Sequence, residues 1–339
     1  MRHTRSRMAA ALGTVAAVAA GTLALAIAPA ASAATDIKVG VGAYGEMGAI
    51  AYGIQSGIFA KNGLNVTPVM FPAPAPGINA LASGAIQFTY APITPVLNAY
   101  GNGGVDLKIV SPGHGFAKAD VQRAKKDAKF AERLDNSGMC VNPASGINSW
   151  KDLQGKTVAV PARNAQGEIT VANQIKKAGG DPKQVNWVTL TFPEMVAAVK
   201  SGKVQASYVI EPFLTQCTTE GLKNLGSPGI LFLDESVISV WITTGPYASA
   251  NPAVVKAFQK SIAEANGFAM KSRANAQKAQ VAATQFTKVP ADIAAKARSL
   301  YYPTIVTRAD VEDQAKKMLA LGYLRAPANV PGLLLTQYR

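Results

Sequence analysis

Five short clusters hold the residues of this chain best suited to meeting the charge and hydrogen bonds of a small molecule. They are Tyr44-Gly45-Glu46, Thr89-Tyr90-Ala91, His114, Arg163-Asn164 and Glu211. Each follows a β-rich run. In open parallel sheets, ligands bind beyond the carboxyl ends of the strands, where helix N-termini offer free N–H groups and a positive dipole end. Arg163 is the best charge partner for an anion, and it equally suits a solvated surface. Glu211, just before Pro212, fits a ligand amine or a helix cap. Thr89 fits a ligand or a cap, Gly45 a turn, Tyr44 half-buried packing, and His114 a hinge or packing role as well as ligand contact.

Covalent chemistry has less to work with. The sequence lacks a G-x-x-x-x-G-K-[ST] loop and a G-x-S-x-G elbow. Its two cysteines, Cys140 and Cys217, have no CxxC spacing, and its two histidines include His3 near the start. A histidine-rich metal centre and a four-thiolate zinc site are excluded. No enzyme, metal or cofactor is expected.

The elements that must position these residues alternate strand and helix. Short β-rich runs stand at 37–42, 64–71, 86–90, 107–111, 137–142, 156–161, 185–190, 206–210, 230–234 and 237–243. Helical spacing lies between them, as in Met47, Ile50, Ile54 and Ile58, with Gly stops. From Asn251 onward the chain reads as helical. This pattern predicts an α/β fold of mostly parallel sheets flanked by helices. Residues 116–136 interrupt it with a charged segment that reads as an inserted, solvated surface helix. With 48% hydrophobic and 16% charged residues, the chain of 339 has material for a packed core.

The N-terminus carries Arg2, Arg5 and Arg7, then an apolar run ending in Ala31-Ser32-Ala33. This is the pattern of a secretory signal over 1–33. No cysteine near the cleavage point permits lipid attachment, so a soluble exported protein is expected, periplasmic or extracellular. Removing three arginines lowers the net charge from +14 to +11. That balance favours anions, but the lysines are scattered and nucleic acid is not an expected partner. An oxidising compartment would allow one Cys140–Cys217 bridge, closing a loop of about 77 residues. Two buried free thiols are the alternative.

Four runs carry a family resemblance. They are Gly57-Ile58-Phe59-Ala60-Lys61-Asn62-Gly63-Leu64-Asn65-Val66, Ala82-Ser83-Gly84-Ala85-Ile86-Gln87-Phe88, Ser145-Gly146-Ile147 with Trp150 to Val160 (WKDLQGKTVAV), and Ser201 to Ala206 with Glu211-Pro212-Phe213. In this order they resemble the periplasmic solute-binding proteins of ABC importers for nitrate, taurine and aliphatic sulfonates, which share their fold with thiamine-pyrimidine-precursor binding proteins. Gln87 and Gln205 depart from the aspartate usual there, and the 116–136 segment is not typical.

The resemblance implies a two-lobed, type II periplasmic-binding-protein fold with a ligand cleft between lobes. Lobe one would comprise 34–112 plus 240–339, and lobe two 113–239. It implies capture of a small anionic or zwitterionic solute by Tyr44, Gly45, Glu46, Thr89, Tyr90, Ala91, His114, Arg163, Asn164 and Glu211. A monomer would deliver the solute to an ABC permease in the membrane. The competing readings are an exported enzyme using the same cleft and a ligand-sensing receptor domain.

Overall fold

The computed structural model describes residues 34–335; the expected signal segment, 1–33, lies outside them. Ten strands appear among the described residues: β1 Thr35–Val41, β2 Leu64–Met70, β3 Phe88–Pro92, β4 Leu107–Pro112, β5 Ser137–Val141, β6 Thr157–Val160, β7 Asn186–Thr189, β8 Ala206–Ile210, β9 Lys223–Asn224 and β10 Ser239–Thr244. They form two five-stranded sheets with orders β2-β1-β3-β10-β4 and β7-β6-β8-β5-β9. Each sheet has one strand running against the rest. β10 is antiparallel to β3 and β4, and β5 is antiparallel to β8 and β9. Those two strands are the ones the chain reaches by crossing from the other sheet. The two sheets thus share one topology.

The central strands are buried almost throughout because helices cover both faces. Thr157-Val158-Ala159-Val160 of β6 and Ala206 to Ile210 of β8 are almost wholly buried. Helix Gln166–Lys177 buries Ile169, Ala172 and Ile175, with Ile175 in the cluster that holds Val158 and Val209 of the sheet. Helix Phe192–Lys200 opens on a capping box between Thr191 and Glu194, which satisfies two N–H groups left free at the first turn. Cys140 in β5 and Cys217 in helix Phe213–Thr219 form a disulfide, both buried.

The two connections between lobes run side by side. Gly113 N–H donates to Ser239 O at 2.8 Å, Phe116 N–H to Ser236 O at 2.8 Å, and Ile238 N–H to His114 O at 3.0 Å. At their far end Asp135 accepts from Ser137 N–H and Ile230 N–H, each at 2.9 Å. These paired strips are the natural hinge between the lobes.

Two segments differ from the sequence expectation. Residues 230–234 are not a strand: Ile230–Phe232 forms a 3-10 turn held by Asp135 and plugged into the core by Ile230 and Phe232. Residues 116–136 do not form one solvated helix. They form two helices, Lys118–Ala124 and Ala128–Leu134, the second restarted by Asp127 accepting from Phe130 N–H at 2.9 Å. Val121, Ala124, Phe130 and Ala131 are buried in the same cluster as Ile230 and Phe232. The segment is charged on one side only, and its apolar side closes the core over the hinge.

Candidate functional site

A cavity of about 50 Å³ lies between the two sheets. Lobe one contributes Tyr44 and Glu46 after β1, Tyr90 and Pro92 of β3, Pro74, and Ser239 at the start of β10. Asn136 and Ser137 at the start of β5, Ala165-Gln166-Gly167 after β6, Phe192 after β7 and Tyr208 of β8 close it from lobe two. The walls therefore come from the carboxyl ends of the parallel strands, where the topology rule places a ligand.

Glu46 is 8% exposed. Asn136 Nδ2 donates to its Oε1 at 2.5 Å across the cleft, while its Oε2 has no protein partner. Burial pushes its carboxyl up to about 7, opposed by its own backbone N–H and Asn136 and reinforced by the negative charges of Glu211 and Asp135. A buried carboxylate oxygen without a donor is costly, and it belongs to a residue that lines the cavity.

Four aromatic rings join across the same cleft. Tyr90 and Tyr44 lie 6.1 Å apart between centroids, Tyr44 and Phe192 5.8 Å edge-on, and Phe192 and Tyr208 6.5 Å. Tyr90 Oη and Ser239 Oγ share a hydrogen bond of 2.5 Å. Burial raises the phenols of Tyr44, Tyr90 and Tyr208 well above the usual range, so they are neutral hydroxyls.

The second polar wall is the start of helix Gln166–Lys177. Ala165 is extended there and no side chain caps the first turn, so its N–H groups are available to a ligand. Gln166 is 6% exposed; its Oε1 accepts from Thr94 Oγ1 of lobe one at 3.0 Å, and its Nε2 has no protein partner. Further contacts hold this turn against lobe one. Asn98 Nδ2 donates to Asn164 O at 2.5 Å, and Tyr323 Oη donates to Glu168 Oε1 at 3.2 Å. Asn98 itself opens a π-helical turn at Asn98–Asn102.

Of the residues the sequence singled out, Tyr44, Glu46 and Tyr90 line the cavity. Gly45 sits behind it, its N–H donating to Glu211 O at 3.0 Å, and a Cβ there would stand 2.7 Å from that oxygen. Thr89 donates to Gly40 O at 3.3 Å inside the lobe-one sheet, and Ala91 is buried opposite Val240. His114 is buried in the hinge against Phe116, with neither ring nitrogen partnered; burial alone lowers its pKa to about 3. Arg163 and Asn164 line a wider vestibule of about 510 Å³ outside the cavity. Arg163 Nε donates to Glu168 Oε2 at 2.7 Å, as does Asn164 N–H at 2.8 Å. Glu211 is buried away from the cavity and paired with Arg298 Nη1 at 2.9 Å. Among the described residues, the cavity lining includes no lysine or arginine.

Asn136, Ser137, Phe192, Tyr208 and Ser239 were not foreseen from the sequence, whereas Gln166 lies in the loop after β6 that the strand-end rule picks out. Phe192 follows that rule one step further along the chain. Asn136, Ser137 and Ser239 stand at the beginnings of β5 and β10, where an inverted strand meets the carboxyl ends of its neighbours.

Residues 130–276 match the NMT1/THI5-like family. The taurine-binding periplasmic protein of Escherichia coli (strain K12) is 31% identical over 136 residues, 40% of this chain and 42% of its own length. The chain thus spans less than half of that relative. The alkanesulfonate-binding protein SsuA from Xanthomonas axonopodis pv. citri superimposes with a TM-score of 0.70 at 18% identity, covering 90% of this chain and 99% of its own. The desulfurization enzyme DSZB has the same fold, with a TM-score of 0.63 at 13% identity over 89% of this chain and 97% of its own. In sequence the chain is NMT1/THI5-like over 130–276, and in architecture it has the two-lobed fold of periplasmic binding proteins.

Proposed function

We propose that this protein is the exported solute-binding component of an ABC importer. It captures a small anionic or zwitterionic organic solute between lobes 34–112 plus 240–339 and 113–239, and presents it as a monomer to a membrane permease. The observation that carries this reading is the cavity itself, walled by both lobes at the carboxyl ends of their strands. Closure about the paired connections would bury a solute and exchange its water for fixed hydrogen bonds. The taurine-binding and alkanesulfonate-binding relatives support a solute of that class.

The enzyme DSZB shares the fold, so capture has to be separated from turnover by experiment. Among the described residues the cavity lining includes neither cysteine nor histidine, which favours capture. The test is a thermal-unfolding screen with taurine, alkanesulfonates and nitrate, followed by assay of the solution for sulfite. A rise in Tm with the solute recovered intact is expected. Release of sulfite would establish the enzyme reading instead.

A further inference from the structure

We infer that the cavity selects solutes carrying an ammonium group, seated on Glu46 and enclosed by Tyr44, Tyr90, Phe192 and Tyr208. The inference rests on the solute-binding reading and deepens it. Three observations lead to it. Glu46 lines the cavity, and its Oε2 is buried with no donor from the protein. The four rings that surround the space form one connected set across both lobes. The faces of such rings attract cations, and aromatic enclosures are a recurrent way to recognise ammonium groups. Among the described residues no lysine or arginine lines the cavity, so nothing of the protein's own supplies the positive charge that Glu46 lacks.

The opposite wall defines the other end of the solute. Gln166 Nε2 is a buried donor without a protein partner, beside the uncapped start of helix Gln166–Lys177. Together they suit an anionic or acceptor head. The occupant is therefore a short zwitterion, with its ammonium toward Glu46 and its acid toward Gln166. Glu211, the other carboxylate considered for an amine, is taken by Arg298. Gln166 also accepts from Thr94 of lobe one, so a solute held by its amide would engage a side chain already bridging the lobes.

The test is titration calorimetry at pH 8 with taurine, β-alanine and glycine betaine. These are set against isethionate, which replaces the amine of taurine by a hydroxyl, and against ethanesulfonate. At least one ammonium compound is expected to bind tenfold or more tightly than isethionate and ethanesulfonate. Glu46→Gln, nearly isosteric, is expected to bring that ratio below about two while unfolding cooperatively. Equal binding of isethionate and the zwitterions, or a preference that survives Glu46→Gln, would overturn the inference and leave the solute-binding reading standing. Silence from every probe would count against both.

Discussion

Asn136 and Glu46 meet across the cleft through a hydrogen bond of 2.5 Å from Asn136 Nδ2 to Glu46 Oε1. Glu46 stands in the turn after β1 of one sheet, and Asn136 just before β5 of the other. The same pair belongs to the hinge, since Asp135, next in the chain, ties the two connections together through Ile230 and Ser137. Asn136 thus stands both beside the connections between the sheets and on the cavity carboxylate.

Asn136→Ala should separate those roles. It removes the donor and leaves both oxygens of Glu46 without a side-chain partner. A hydrogen bond to a charged group is worth about 1.5–3 kcal/mol, so solute affinity should fall roughly tenfold or more. Calorimetry on the variant checks this, and affinity within twofold of the parent would contradict it.

The raised carboxyl of Glu46 carries a definite sign. The folded protein keeps a proton that the unfolded chain releases near 4.5, so stability is lost as pH rises from there through about 7. Asp135, pushed up to about 6 by burial, acts in the same direction. His114 acts oppositely, favouring the fold increasingly as pH rises from about 3 toward 6.5. The other groups facing Glu46 are Glu211, already paired with Arg298, and the neutral phenols of Tyr44, Tyr90 and Tyr302. Glu46→Gln should therefore gain in Tm over the parent between pH 5 and pH 8, and a constant difference would contradict this assignment. An ammonium solute needs Glu46 ionised, so its affinity in the parent should rise over the upper part of that interval.

Thr94→Val removes the hydroxyl that donates to Gln166. One neutral hydrogen bond contributes about 1 kcal/mol, so affinity should fall about fivefold. Arg163→Ala should change it less than twofold, because Arg163 lies in the vestibule on Glu168. A larger loss from Arg163→Ala than from Thr94→Val would reverse the assignment of the anionic pole.

The Cys140–Cys217 bridge closes a separation of 77 residues inside lobe two. Chain-entropy arguments give a loop of that length an upper value of about 4.5 kcal/mol. The double variant Cys140→Ala and Cys217→Ala should unfold at a clearly lower temperature, and an unchanged Tm would contradict a stabilising role.

The sequence made the alternation of strands and helices legible, because apolar runs such as Thr157-Val158-Ala159-Val160 and Gly stops mark buried parallel strands. Tyr44, Glu46 and Tyr90 were legible for the same reason, standing after or at the end of β1 and β3. Asn136 and Ser239 were not, because nothing local in their neighbourhood reveals that β5 and β10 run against their sheets. Glu211 and Arg163 carried the right charges in the right loops. Arg298 reaches Glu211 only through tertiary packing, and Glu168 meets Arg163 locally, from the first turn of the next helix. The apolar side of 116–136 was hidden by its lysines and arginines, which occupy the other side of the same helices.

The central claim is that the solute occupies the space between Glu46 and Gln166. Ala165 borders that space in extended backbone, a conformation that accepts a larger side chain. Ala165→Leu would add three carbons at the boundary between the vestibule and a cavity of about 50 Å³. Titration of the tightest-binding ammonium compound among taurine, β-alanine and glycine betaine into the parent and this variant is the most direct measurement. The account predicts one site per chain in the parent, and no binding in a variant that still unfolds cooperatively. Equal binding by both would place the solute elsewhere and contradict the claim.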